Sequence, residues 1–166
     1  MFRRSTVFIK ALTALTALML LTACASLSPY SSLSKINLKL SASDQLNPDI
    51  NGRPSPIVVR LFELKHPVAF ESADFFSLYE RAAKSLAPDL VASEELQLRP
   101  GEHHELKLSV QSQSRYVGIL AAYRDLSETR WRYTVPITTG GVTHIDLTLD
   151  QAGIHGSSEA FVQADN

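Results

Sequence analysis

One thiol, five histidines and 17 carboxylates are the groups in this 166-residue chain whose types could do chemistry. The nearest thing to a constellation is His103-His104 beside Glu102, with Glu94-Glu95 a short way upstream. Adjacent residues on a strand point to opposite faces, so the two histidines cannot readily close on one ion, and they read as surface histidines beside a turn. The glutamates lack any pocket signal that would make them an acid and base set, and His66, His144 and His155 stand on separate segments. No Gly-x-Ser-x-Gly elbow, phosphate-cradling glycine loop, His-Glu-x-x-His or Cys-x-x-Cys spacing occurs. The sequence therefore offers no catalytic residue and no metal site, and we expect neither enzyme activity nor a dissociable cofactor.

The thiol is a different matter. Cys24 follows Leu21-Thr22-Ala23, and ahead of these lie basic Met1-Phe2-Arg3-Arg4 and the uncharged apolar run Ala11 to Leu21. That run has the length of a signal-peptide core and is short for a bilayer span. Leu21-Thr22-Ala23-Cys24 resembles the lipobox of bacterial lipoproteins. The resemblance implies removal of residues 1–23, a diacylglycerol on the Cys24 thiol and an N-acyl lipid on the freed amine. Each buried methylene contributes about 0.8 kcal/mol, so two or three chains would anchor the protein essentially permanently. Residue 25 is Ala, where Asp would resemble an inner-membrane retention signal, so the periplasmic face of the outer membrane is the expected location. Ala25 to Ser34 holds five serines and a proline without apolar period. Residues 24–34 thus read as a lipidated flexible linker reaching roughly 30 Å when extended.

Without Arg3, Arg4 and Lys10 the remainder keeps 13 basic against 17 acidic residues, a net charge of −4. A mildly acidic domain gains nothing from counterion release on a phosphate backbone, which excludes nucleic acid as the expected partner. With one cysteine, no internal disulfide can form, and stability must come from packing.

Several segments show the period-two alternation of half-buried strands. Ile36, Leu38 and Leu40 alternate with Asn37, Lys39 and Ser41; Ile145, Leu147 and Leu149 with His144, Asp146 and Thr148; Trp131, Tyr133 and Val135 with Arg130, Arg132 and Thr134. Ile57 to Leu64 is apolar on both faces apart from Arg60 and Glu63, as expected near the middle of a sandwich. A short strand around Leu96 and Leu98, a turn at Pro100-Gly101 and the alternating Leu106, Leu108 and Val110 suggest a hairpin-like pair. Tyr116 to Tyr123 reads as a buried strand whose Gly118 marks either a close backbone approach or a bulge. Gly140-Gly141 turns the chain before the last strand. Trp131 suits a core position with solvated arginines on either side, although Trp and Arg also populate interfaces. One segment breaks the rhythm: Phe75, Tyr79, Ala82 and Leu86, with Phe76 and Ala83, form an amphipathic helical stripe capped by Ser72 or Asp74 and stopped by Pro88. The fold class expected is all-β, a two-sheet antiparallel sandwich of transthyretin-like or immunoglobulin-like type with one inserted amphipathic helix, over residues 35–150. Residues 151–166 read as a polar tail.

The most informative connection is Ser43 to Pro56, with three prolines and an Asn-Gly between the first two strands. It is too long for a tight hairpin. Its prolines restrict the free loop, which lowers the entropy lost on docking, and Leu46 and Ile50 offer apolar anchors. The residues alone leave two readings open: a preorganised binding loop, or a long connection whose prolines protect a strand edge.

At these same residues the chain resembles the TssJ (SciN-like) family, outer-membrane lipoproteins of the type VI secretion membrane complex. The resemblance rests on an ordered set: the lipobox at Cys24, Asn47-Pro48 followed by Asn51-Gly52-Arg53-Pro54-Ser55-Pro56, Val58 to Leu64, Phe70 with Ala73-Asp74-Phe75-Phe76, Pro100-Gly101, Tyr116-Val117-Gly118 and Trp131-Arg132. It implies a transthyretin-like sandwich acting as a structural adaptor. Its loop between the first two strands, Ala42 to Pro56 here, would contact the periplasmic C-terminal domain of TssM within a TssM–TssL–TssJ complex. On that basis the partner-binding residues expected are Leu46, Asn47, Pro48, Asp49, Ile50, Asn51, Gly52, Arg53 and Pro54. Two other classes compete. A lipid-tethered periplasmic ligand- or glycan-binding sandwich would need a concave pocket with convergent polar groups. A transthyretin-like hydrolase would need His103, His144 and Arg132 to converge.

Overall fold

The computed structural model describes residues 34–156. Cys24, the signal segment and the linker up to Leu33 lie outside the described residues, as do residues 157–166. Eight strands and two helices follow in chain order: β1 Lys35–Ala42, β2 Ile57–Leu64, α1 Val68–Ser72, α2 Phe75–Ser85, β3 Leu90–Leu98, β4 His103–Ser109, β5 Tyr116–Ala121, β6 Arg132–Pro136, β7 Val142–Leu149 and β8 Ile154–Gly156. They form two four-stranded sheets, ordered β4-β1-β7-β8 and β3-β2-β5-β6.

The alternating strands behave as their pattern dictates. β7 buries Thr143, Ile145, Leu147 and Leu149 and exposes the residues between them, and β1 buries Ile36, Leu38, Leu40 and Ala42. These side chains meet Ile57, Val59 and Leu61 of β2 and Val117, Ile119 and Ala121 of β5 in the space between the sheets. Each fully buried aliphatic side chain contributes about 1.5–3 kcal/mol.

β2 and β5 are apolar on both faces because a second layer covers them. Phe62, Leu64 and Leu120 point away from the sandwich and pack under Phe70, Leu78 and Leu86 of the helical segment. Gly118 is explained here: a Cβ at that position would lie 3.0 Å from three atoms of the Phe70 ring. The glycine in β5 marks a close approach, and what approaches is an aromatic side chain.

Four features depart from the sequence expectations. The Pro100-Gly101 turn does not close a hairpin, because β3 pairs with β2 in one sheet while β4 pairs with β1 in the other. The turn is a corner between sheets, and residue types at a turn do not determine whether the strands it joins stay in one sheet. β1 and β7 pair in parallel over eight residues, from Lys35 with Val142 to Ala42 with Leu149, so the sandwich is antiparallel in all its other strand pairs only. Two helices replace the expected one, and the stripe is narrower than its spacing suggests. Phe76 is 58% exposed and Ala83 is exposed, and non-helical backbone at Arg81 interrupts α2 between them. Asp74 caps α2, accepting from the Ser77 amide at 3.0 Å. Finally, the stretch read as a tail begins with structure: β8 pairs with β7, and Gly153 bridges Arg130.

Candidate functional site

The loop from Ser43 to Pro56 leaves β1 and returns to β2 as a braced projection. Its base is fixed by three backbone hydrogen bonds, two to the Pro100-Gly101 corner and one to β7. The Ala42 amide donates to the Glu102 carbonyl at 2.9 Å, the Gly101 amide to the Ser43 carbonyl at 3.3 Å, and the Ser43 amide to the Leu149 carbonyl at 2.9 Å. Leu46, at 0% exposure, is inserted in the core. Asn47, at 3%, lies behind it with a positive φ of 45°. Its Nδ2 donates to the Pro56 carbonyl at 3.0 Å, and its Oδ1 accepts from the Arg124 amide at 2.9 Å. One buried amide therefore ties the two limbs of the loop together and to the β5–β6 connection. An asparagine tolerates the left-handed backbone that this position requires.

Beyond Asn47 the chain makes a small hairpin. The Ser55 amide donates to the Leu46 carbonyl at 3.0 Å, the Asp49 amide to the Arg53 carbonyl at 2.9 Å, and the Gly52 amide to the Asp49 carbonyl at 2.8 Å. The Asp49 carboxylate closes the turn from inside, accepting from the Asn51 amide at 2.8 Å and the Arg53 amide at 2.9 Å. Its other oxygen accepts from the Arg53 guanidinium at 2.8 Å. These donors hold the Asp49 carboxyl below the ordinary carboxylate range, the Arg53 backbone N–H first and its side chain second. Gly52 supplies the left-handed residue of the turn, with φ +75° and open space around it. At the apex Ile50 is fully exposed, at 102%.

The predicted binding residues therefore divide. Pro48, Ile50, Asn51, Gly52, Arg53 and Pro54 form the outer surface of the projection, Asp49 is its internal brace, and Leu46 and Asn47 are buried supports. Leu46 is thus unavailable as a surface anchor, contrary to the sequence reading, because the core between the sheets has claimed it. The sequence reading also missed the second wall. A groove of about 470 Å³ runs between Asn47–Ile50 and the segment Tyr123, Arg124, Asp125, Glu128 and Thr129, with Gln151 at its edge. Tyr123 lies at its floor, 4% exposed, its phenol pushed up by burial and then by the Asp150 charge.

The groups that competing readings required do not assemble. His103 sits opposite Ser41, while His144 lies one strand beyond, level with Asn37 at the other end of β1. Arg132 is in the other sheet, donating to the Phe70 and Ala73 carbonyls at 3.2 and 2.8 Å. Among the described residues no three His, Cys, Asp or Glu side chains could hold a metal ion. His104 Nε2 lies 3.0 Å from Glu102 Oε1 beside the corner turn. The recess between the sheets near Ile36, Leu61 and Val117 holds about 140 Å³, below the roughly 300 Å³ of ordinary small-molecule pockets, and the larger recess of about 470 Å³ is the open groove beside the projection. No described helix is long and apolar enough to cross a membrane.

Residues 34–152 match the T6SS-SciN family, described as type VI secretion lipoprotein, VasD, EvfM, TssJ. The chain belongs to this family. Solved structures agree. The type VI lipoprotein TssJ1 from Pseudomonas aeruginosa is 35% identical with a TM-score of 0.74, over 76% of this chain and 97% of that one. Serratia marcescens Lip, a membrane bound component of the type VI secretion system, is 25% identical with a TM-score of 0.71, over 77% and 100%. A chain in a structure described as the TssM C-terminal domain from EAEC is 20% identical with a TM-score of 0.65, over 76% and 100%, which shows shared fold alone. No curated protein sequence matches significantly. The all-β TssJ-type sandwich expected from the motifs is thus the fold observed, and the family is one of type VI secretion lipoproteins.

Proposed function

We propose that this TssJ-family lipoprotein is a structural adaptor, anchored through lipidated Cys24 to the periplasmic face of the outer membrane and docked through its Ser43–Pro56 projection on the periplasmic C-terminal domain of TssM. Through TssM the tether would reach TssL. The observation that carries this reading is the projection itself, whose hydrogen bonds and buried base present a fully exposed Ile50 on a preordered turn. A loop already ordered before contact loses little conformational entropy on docking, and an exposed branched aliphatic at its apex is a ready anchor for an apolar pocket. Neither attachment requires catalysis, in keeping with a family of secretion lipoproteins.

The test is an Ile50→Glu variant assayed for binding to the purified TssM periplasmic domain. Removing an apolar anchor and placing a charge in its pocket costs about 2–4 kcal/mol, a loss of affinity of about thirty-fold or more. Wild-type affinity in this variant would refute the docking assignment. Cys24→Ser, in parallel, leaves the domain folded and releases it from the membrane fraction.

A further inference from the structure

A second surface, separate from the loop tip, runs along β6. Thr129 to Thr134 and Glu71 line a groove of about 450 Å³. Three properties coincide there. The first is an open strand edge. The Ala121 amide donates to the Trp131 carbonyl and the Ile137 amide to the Arg115 carbonyl, at 2.8 Å each. By the alternation of an antiparallel pair, residues 131, 133, 135 and 137 therefore face β5, while Arg132 and Thr134 turn their backbone N–H and C=O groups outward. Neither residue makes any other backbone hydrogen bond among the described residues. Pro136 closes one end of this edge and the Arg130–Gly153 bridge the other.

The second property is an aromatic shelf. Trp131 and Tyr133 are half-buried beside the groove, with the Arg132 guanidinium 4.6 Å from the Trp131 ring. The third is charge. Arg130 is exposed, its guanidinium 5.8 Å from the Tyr133 ring, and it makes no side-chain hydrogen bond or ion pair among the described residues. The opposite edge of the same sheet is acidic, with Glu94 and Glu95 exposed on β3, as expected of an edge protected against pairing. The β6 groove instead carries Arg130, without an ion-pair partner among the described residues, and Arg132 against one carboxylate, Glu71.

We infer that the β6 groove is a docking surface for an acidic, extended peptide segment of a periplasmic partner. Such a segment would add a strand against the free groups of Arg132 and Thr134, pair a carboxylate with Arg130 and lay an apolar side chain against Trp131 and Tyr133. Main-chain pairing supplies affinity in this mode and alternate side chains supply selectivity.

Trp131 is the only tryptophan of the chain, so its fluorescence reports on this groove and on the Phe75 ring packed edge-on behind it. The experiment titrates the full-length lipoprotein in detergent with a synthetic peptide of alternating glutamate and valine, and with its lysine and valine counterpart. The glutamate peptide produces a saturable change in Trp131 emission that weakens with salt, and the lysine peptide produces none. Arg130→Glu lowers the apparent affinity more than about tenfold by juxtaposing like charges, Arg130→Ala lowers it less, and Ile50→Glu leaves it unchanged. Absence of a saturable change, equal response to both peptides, or full affinity in a folded Arg130→Glu protein would each overturn the proposal. So would a shift of Trp131 emission on truncation after Gly156, which would show that the chain's own last residues fill the groove.

Discussion

Replacing Asn47 tests the reading that this residue supports the loop from within instead of touching a partner. In Asn47→Ala two part-buried hydrogen bonds disappear, to the Pro56 carbonyl and from the Arg124 amide. Each loss costs about 0.5–1.5 kcal/mol, the net worth of an ordinary intramolecular hydrogen bond. Alanine must also adopt the positive φ of 45°, at about 1 kcal/mol. The sum is about 2–4 kcal/mol, equivalent to a fall in Tm of roughly 10 °C for a domain of this size. Asn47→Gly loses the same bonds without the side-chain penalty and falls between alanine and wild type. Asn47→Asp keeps the acceptor facing Arg124 but sets a carboxylate against the Pro56 carbonyl, and is expected near alanine. Thermal and urea denaturation followed by circular dichroism give the ranking. An Asn47→Ala protein within 0.5 kcal/mol of wild type, or a glycine variant less stable than alanine, would refute the assignment.

Three further outcomes follow from the same geometry. Asp49 has its pKa lowered in the folded state, so the ordering it gives the turn is complete above the ordinary carboxylate range and disappears as the pH falls through its depressed pKa. Amide resonances of Asn51 and Arg53 should therefore shift together in acid, below the range where free aspartates titrate, and Asp49→Asn should abolish that step. Gly118→Ala should destabilise by about 1–3 kcal/mol, because the new methyl meets the Phe70 ring; pairing it with Phe70→Leu should recover part of the loss in a double-mutant cycle. Leu46→Ala, a cavity in the core, should cost about 2–5 kcal/mol, whereas Ile50→Glu should leave the melting temperature within about 1 °C because its side chain is wholly in solvent.

Much of the fold was legible because its signals are local. Alternation in β1 and β7 needs only the pleat, and the apolar faces of β2 reflect burial on both sides. Asp74 and Pro88 bracket a helix by elementary capping and steric rules. What escaped detection depends on contacts between residues distant in sequence. The parallel pairing of β1 with β7 joins segments with most of the domain between them, and no local residue pattern encodes it. The corner at Pro100-Gly101 looks like any other turn until Gly101 is seen against the Asp44 carboxylate. Leu46 reads as a surface anchor because its neighbours are polar and proline-rich, yet one apolar residue at the foot of a loop is often the one that anchors it. Arg124 and Thr129 were invisible as parts of the groove because nothing in their own segment indicates that Asn47 reaches across to it.

The position of β1 also sets how the molecule carries load. On the proposed adaptor role, a tether joined ahead of Ser34 and a docked projection beginning at Ser43 would grip opposite ends of one strand, about 25 Å long at the usual strand rise. β1 lies between β4 and β7, so a pull between those ends runs through the covalent backbone of a strand that is already extended, and the ladders on its flanks hold it straight without themselves carrying the load. A strand gripped this way behaves as a tension rod, and the rest of the sandwich is spared.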